Sequence, residues 1–434
     1  MRLSSRATGP VDPDAVDFLD PALYADGEPH ALWDHLRRHR PAHLQRGIDG
    51  REPFWVFTRY NDVCQVLHRH EEFSSRRGTT LCTVDLNLPP VAADQMFTDC
   101  DPPIHTRLRE PLNRAMAMRS VRAREPRIRD CVTALLEPAL DSQTFDLAVA
   151  TRALPTAVAG TLMGLPEPLW PELERLATTA IAYHDPELTR GTPQATLRQA
   201  NHELFAHLHE EISRRDRLDP GDDLIGILLS MRIDGEPLPD QQILFNCYSL
   251  LAGANVTTTH AAAGTVQALA DHPDQFRLLE QDPHRVKTCV EEGLRWTSPV
   301  NHLLRVTRRD TRVGDQEIHS GELVSAWLGS ANRDEDVFPD GGRFDILRTP
   351  NRHLAFGHDP HFCVGASLAR LALRIFTTEL LTRVARIETA GPARHLASTF
   401  IAGFSSLPVV LTPRSTPLAL PDSALATARP SRVH

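Results

Sequence analysis

The segment HLAFGHDPHFCVGASLARLALR, residues 353 to 374, gathers His353, His358, His361 and Cys363 into eleven positions and then continues as a long apolar helical pattern. Imidazole nitrogens and a thiolate both ligate metals, so two chemistries compete for this segment. A zinc site usually divides its ligands into two pairs on separate elements, as in C-x-x-C with H-x-x-x-H. Here there is one cysteine, and no cysteine pair lies nearby. The alternative is a thiolate that works alone. Cys363 stands where a loop ends and the helix GASLARLALR begins, so free backbone N–H groups and the positive end of the helix dipole would favour the charged sulfur. A lone thiolate at a helix start, with Gly357 and Gly365 on either side, suits an axial ligand to haem iron.

The elements that must hold this segment are mostly helical. The chain of 434 residues is long enough for a large core, and its 34 prolines cut it into helices of one to three dozen residues. Strand-like pieces are few: FWVFT at 54 to 58, and TRVGDQEIHSGELVSAW at 311 to 327, where GDQ and SGE read as turns. The longest helical pattern runs from Asp240 to Asp271 between Pro239 and Pro273 and is apolar nearly all round, which places it through the middle of the protein. Its centre carries Gly253, Asn255 and Thr257 to Thr259, all weak helix formers, with Gly about 1 kcal/mol worse than Ala. Such a helix is either widened locally and faces a ligand, or its threonines bond back to preceding carbonyls. In the next helix, VKTCVEEGLRW, Glu292 and Arg295 share one face at i,i+3. A loop dense in Asp and Arg, 331 to 348, then leads into the Cys363 segment.

Composition excludes several classes. A net charge of −9 argues against nucleic-acid binding, and the local run Arg122 to Arg129 reads as a solvated helix face. The start, MRLSSRATGPVDPD, has no apolar h-region, and no stretch approaches eighteen uninterrupted apolar residues. Seven scattered cysteines make no disulfide framework and fit a reducing cytoplasm. The first dozen residues and the Pro/Ser/Ala-rich tail from Pro413 are expected to be poorly ordered.

FGHDPHFCVG, 356 to 365, closely resembles the haem-binding loop of the cytochrome P-450 monooxygenases, whose pattern is F-G-x-G-x-H-x-C-x-G. DPPIHTRLR (101 to 109), GANVTT (253 to 258), EGLR (292 to 295), HLLRV (302 to 306) and ANRDEDVF (331 to 338) follow the family's order. The resemblance spans about residues 15 to 412, leaving a flexible segment 1–14 and a tail 413–434. It implies a mainly α fold with small β-sheets (α+β), a single large domain around a buried haem b. In it, Cys363 is the proximal iron ligand and Thr257 faces the oxygen. Phe356 packs beside the sulfur, Gly357 and Gly365 shape the loop, and His105, Arg109, Arg305 and His361 pair with the haem propionates. Glu292 and Arg295 form the family's structural pair, with Arg343 or Arg348 as the third member. The substrate pocket falls at Cys82 to Met96, Pro166 to Thr192, Ala254 to Thr258 (including Val256), Val300 to Leu304 (including Leu303), and Thr399 to Ala402 (including Phe400 and Ile401).

The implied reaction inserts one atom of dioxygen into a lipophilic small molecule such as a terpenoid, steroid or polyketide, by hydroxylation or epoxidation, in secondary or xenobiotic metabolism. Electrons arrive singly from a ferredoxin and a ferredoxin reductase, ultimately from NAD(P)H. A cytoplasmic monomer free of membrane and nucleic acid is expected. Two departures from the family pattern bear on this. Aligning on Pro273 and Glu292 places Val256 where the family usually has an acid before its threonine, so proton delivery would fall to Thr257, to water, to Asn255 or to a substrate hydroxyl. Asp359 replaces a usual Gly; Asp tolerates positive φ, but is expected to bring a carboxylate near the thiolate. Three other functions remain open: oxidative coupling without oxygen insertion, a peroxide-driven oxygenase, and a haem-based sensor.

Overall fold

The computed structural model describes residues 12–25, 29–117, 122–141 and 143–418. Helices make up its bulk, with small sheets at the periphery. Helix Ala366–Arg383, which follows Cys363, packs against Val286–Thr297 and Glu125–Asp141, and Thr258–Asp271 lies between these and the rest of the core. Thr259 to Val266 is buried without interruption, which is why this helix shows no polar face. Its crossing with Val286–Thr297 is close because glycines meet threonines: a Cβ on Gly293 would lie 2.2 Å from Thr265 Oγ1, and one on Gly264 would lie 2.5 Å from Thr297 Cγ2.

The apolar pattern from 240 to 271 forms two helices, not one. Asp240–Asn255 ends and Thr258–Asp271 begins, with Val256 and Thr257 between them. The cause is local: the Thr257 hydroxyl donates to the Gly253 carbonyl at 3.2 Å, a bond that competes with the helical ladder where its residues are weakest.

The main sheet has five strands in the order Ala42–Gln45, Phe54–Phe57, Leu323–Trp327, His302–Thr307 and Phe73–Ser74. Phe54–Phe57 and Leu323–Trp327 run parallel, and the other neighbours are antiparallel. Leu323–Trp327 is buried along its length, as expected of a central strand. The expected turns are present: Gly314, at φ +55°, closes the hairpin Thr311–Val313 with Gln316–Ile318, and Gly321 stands at φ +88°. Packing extends past the expected limits of 15 and 412. Asp12 caps a turn at Pro13–Ala15, Arg414 N–H donates to Arg383 O at 2.8 Å, and Leu418 N–H donates to Thr382 O at 3.0 Å. The remaining residues of both termini lie outside the described residues. Among the described residues no helix is long and apolar enough to cross a membrane.

Candidate active site

A cavity of about 530 Å³ lies between the Cys363 loop and the break in the long helical pattern. Cys363, Phe356, Gly357, His361 and Gly365 of the loop line it together with Gly253, Ala254, Val256 and Thr257. The loop is built by a few local bonds. Cys363 N–H donates to Phe356 O at 2.8 Å, Gly357 N–H to Leu354 O at 2.8 Å, and Phe362 N–H to Asp359 O at 2.8 Å. Gly357 at φ +73° and Asp359 at φ +51° supply the two left-handed residues that let it fold back.

The Cys363 thiol faces the cavity. Burial pushes it above the usual thiol range, outweighing the Gly365 N–H and the Arg109 and Arg370 charges that pull the other way. Phe356 lines the cavity together with Cys363, and the Arg370 guanidinium lies 4.4 Å over its ring.

The three histidines of the segment part company. His353 is fixed at 3.2 Å from Glu291, which also pairs with Arg370 at 2.8 Å. Burial pushes the Glu291 carboxyl up, but His353 and Arg370 outweigh it and hold it down to about 2. His361 turns into the cavity, with Nε2 3.1 Å from Ser75 Oγ. His358 turns outward to Asp359 at 3.2 Å. The Asp359 carboxylate bonds His68 and His358 on the outside, so the expected approach to the thiolate does not occur. Among the described residues, Cys363 belongs to no group of three or more His, Cys and carboxylate ligand atoms of the kind a zinc site is built from.

At one edge of the cavity two guanidiniums are buried with neutral partners. Arg109 bonds Phe362 O and, at 3.2 Å, Asn113 Oδ1, while Arg305 Nη1 donates to Leu304 O at 2.7 Å. Burial lowers Arg305 to about 10 despite the neighbouring Asp101 and Asp99. His105 sits one layer back: its ring is 4.2 Å from that of His361, its Nε2 is buried without a partner, and it does not line the cavity. Burial lowers His105 to about 4 and holds His361 far below the ordinary imidazole range, so both rings are neutral at pH 7.

Val300, Leu303 and Phe400 line the cavity as expected, together with Cys82, Ala180 and Thr399. Ile401 does not. Its backbone pairs with Val300, and its side chain packs with Ala182, Val256 and Leu396. Asn255 is likewise buried and is not among the lining residues, with neither amide atom partnered. Behind the loop, Glu292 and Arg295 are fully buried as a pair. Arg348 is the third member, 3.3 Å from Glu292, and Arg343 contributes only its carbonyl.

One lining residue was not anticipated. Asp99, just before the DPPIHTRLR motif, is the single carboxylate among the lining residues; it is 6% exposed, and Oδ1 has no partner. Burial pushes its carboxyl up to about 7, against Thr98 and Arg305. Nothing in FTDCD distinguishes Asp99 from Asp101, which is tied to Ser74 and the Ser75 N–H.

The cytochrome P450 family model matches residues 181–385. Linalool 8-monooxygenase of Pseudomonas putida is 34% identical over 406 residues, covering 92% of this chain and 99% of the relative. Among solved structures, a Mycobacterium marinum cytochrome P450 in complex with pseudoionone superimposes with a TM-score of 0.85 at 29% identity, covering 93% of this chain and all of the other. P450 OxyD, involved in the biosynthesis of vancomycin-type antibiotics, gives 0.83 at 33% identity, covering 92% and 100%. Likeness that runs nearly end to end in both sequence and fold leads to one conclusion: the chain belongs to the bacterial cytochrome P450 monooxygenases, enzymes whose cofactor is haem iron.

Proposed function

We propose that the enzyme inserts one oxygen atom of dioxygen into a lipophilic, terpenoid-sized molecule, and that Cys363 is the residue that would hold the haem iron. The observation that carries this reading is that Cys363 lines one apolar cavity together with Val256 and Thr257 at the helix break. Three features support a haem fit. Arg109 and Arg305 are buried cations bonded only to neutral oxygens, as donors to two carboxylates need to be. His105 holds an unpartnered buried nitrogen beside His361. A Cβ on Gly253 would meet nothing within 4 Å, so this stretch of helix leaves room for a flat group beneath it.

Thiolate-bound haem iron supplies the activation of dioxygen. The chain's own residues do the rest. Phe356 and the apolar lining surround the cavity that Cys363 faces, and the Gly365 N–H would offset part of the charge of the sulfur. Val256 offers no proton, and the Thr257 hydroxyl donates to Gly253 O, so Thr257 must turn from that carbonyl to pass a proton toward the cavity. Val300, Leu303 and Phe400 present apolar surface to the substrate. The relatives whose printed names carry linalool and pseudoionone support a terpenoid, and the steroid C26-monooxygenases at 29% and 31% identity support a steroid of the same lipophilic class. All seven cysteines are free, in keeping with a cytoplasmic enzyme supplied with electrons from NAD(P)H by a separate ferredoxin and reductase.

The test is spectroscopic. Purified protein should contain one haem b, and its reduced carbon monoxide complex should show the red-shifted Soret band of thiolate ligation. Cys363→Ser should abolish that band. Persistence of the band in Cys363→Ser would overturn the ligand assignment, and failure of both terpenoids and steroids to shift the iron spin state would overturn the substrate class.

A further inference from the structure

The histidine left over from the Cys363 segment, His358, belongs to a second cluster. We propose that His68, His358 and Asp359 form a binding site for a divalent transition metal of the zinc type on the outer face of the Cys363 loop. His68 is the last residue of helix Tyr60–His68, and its partners come from a loop 290 and 291 positions later, so only the fold unites them. The ligand atoms of the three side chains all lie within 4.8 Å of one another. His68 Nδ1 and His358 Nε2 both address the same carboxylate oxygen, Asp359 Oδ2, the latter at 3.2 Å.

Tetrahedral zinc with ligands at about 2.0–2.2 Å needs ligand atoms about 3.3–3.5 Å apart. Small side-chain rotations therefore open the cluster around an ion, which would replace the proton that now joins His68 to Asp359. The freedom for this exists: the side chains of His68, His358 and Asp359 are 66%, 40% and 39% exposed. The backbone does not have to move, since Asp359 is held at φ +51° in the turn Asp359–His361, with Phe362 N–H on its carbonyl. Two imidazoles and one carboxylate are borderline ligands suited to zinc, and the exposed side leaves a position for water. The ion would tie the end of helix Tyr60–His68 to a point four residues before Cys363 and so restrain the loop. This consequence for haem rests on Cys363 being its ligand; the binding of zinc does not.

The test uses holoenzyme dialysed against chelator and titrated with zinc chloride in a calorimeter. One saturable equivalent is expected, weakened at least tenfold, about 1.4 kcal/mol, in His68→Ala and in Asp359→Gly. Both variants should keep the carbon monoxide Soret band of the wild type, which shows that the loop is intact. Zinc should also slow transfer of haem to an acceptor globin in the wild type and in neither variant. If wild type and both variants bind zinc alike, the site is refuted and the exposed histidines elsewhere account for the binding. If the equivalent is present and sensitive to both substitutions but haem transfer is unchanged, the restraint on the loop is refuted.

Discussion

Glu292→Gln should destabilise the folded enzyme by about 3–5 kcal/mol, because it removes the only charge that balances a buried cation. Glu292 and Arg295 both have fully buried side chains. A guanidinium has five N–H donors, and those of Arg295 have five acceptors. Nε reaches Glu292 Oε2 at 2.8 Å, and Nη2 reaches Glu292 Oε1 at 2.7 Å and Arg343 O at 2.9 Å. Nη1 reaches Asn332 O at 2.7 Å and Gly341 O at 2.8 Å. The same carboxylate takes the Asp345 N–H at 2.9 Å and Asn351 Nδ2 at 3.0 Å, and lies 3.3 Å from Arg348 Nε, whose side chain is 8% exposed. Gln preserves shape and one acceptor. Its amide nitrogen, however, must face a donor, and two guanidiniums lose their shared anion. Arg295→Lys should also be costly, because an ammonium has three donors for five acceptors. Urea unfolding of the haem-bound proteins, followed by far-UV circular dichroism and tryptophan fluorescence, measures both. A loss below about 1 kcal/mol for Glu292→Gln, the range of a surface pair, would refute the reasoning.

Three further outcomes are expected. Asp99 carries a carboxyl raised to about 7 by burial, against an unfolded value near 3.8. Between these values the folded chain holds a proton that the unfolded chain has released, so stability falls as pH rises from about 4 to 7 and the cost is complete above 7. Asp99→Asn should therefore gain on the order of 2–4 kcal/mol over wild type at pH 8 and much less at pH 5; equal gains at both pH values would show that Asp99 does not titrate there. Arg109→Ala should speed haem loss by removing on the order of 3 kcal/mol of pairing to a buried carboxylate, with a smaller effect from His105→Ala, which acts through His361; unchanged haem retention on dialysis of Arg109→Ala would remove this edge from the haem site. With a valine at 256, coupling of NAD(P)H to product should be poor on substrates that lack a hydroxyl, improve in Val256→Glu and worsen in Thr257→Ala, since acid–base assistance is typically worth about 10²–10⁴ in rate; unchanged peroxide release in Thr257→Ala would exclude Thr257 as the relay.

What was legible in the sequence was local. The return of the chain around FGHDPHFCVG depends on residues that accept positive φ, and Gly357 and Asp359 adopt it because neighbouring atoms alone decide which backbone angles a residue tolerates. The weak helix formers from Gly253 to Thr259 likewise mark where the ladder breaks, and Gly314 and Gly321 mark the turns. Periodicity also located the buried helix Thr258–Asp271, since a helix without a polar face has nowhere to go but inside.

What only the tertiary structure decided concerns direction and surroundings. Sequence spacing does not say which of His353, His358 and His361 faces the cavity; that depends on Glu291, His68 and Ser75, which come from other elements. Arg348 rather than Arg343 reaches Glu292, which the turns of 341 to 350 decide, and Ile401 turns from the cavity that Phe400 lines, because successive side chains of extended backbone point to opposite faces. The raised pKa of Asp99 was equally out of reach. It is set by desolvation, the sum over everything packed around the group, and that sum exists only once the distant parts of the chain have closed around the cavity.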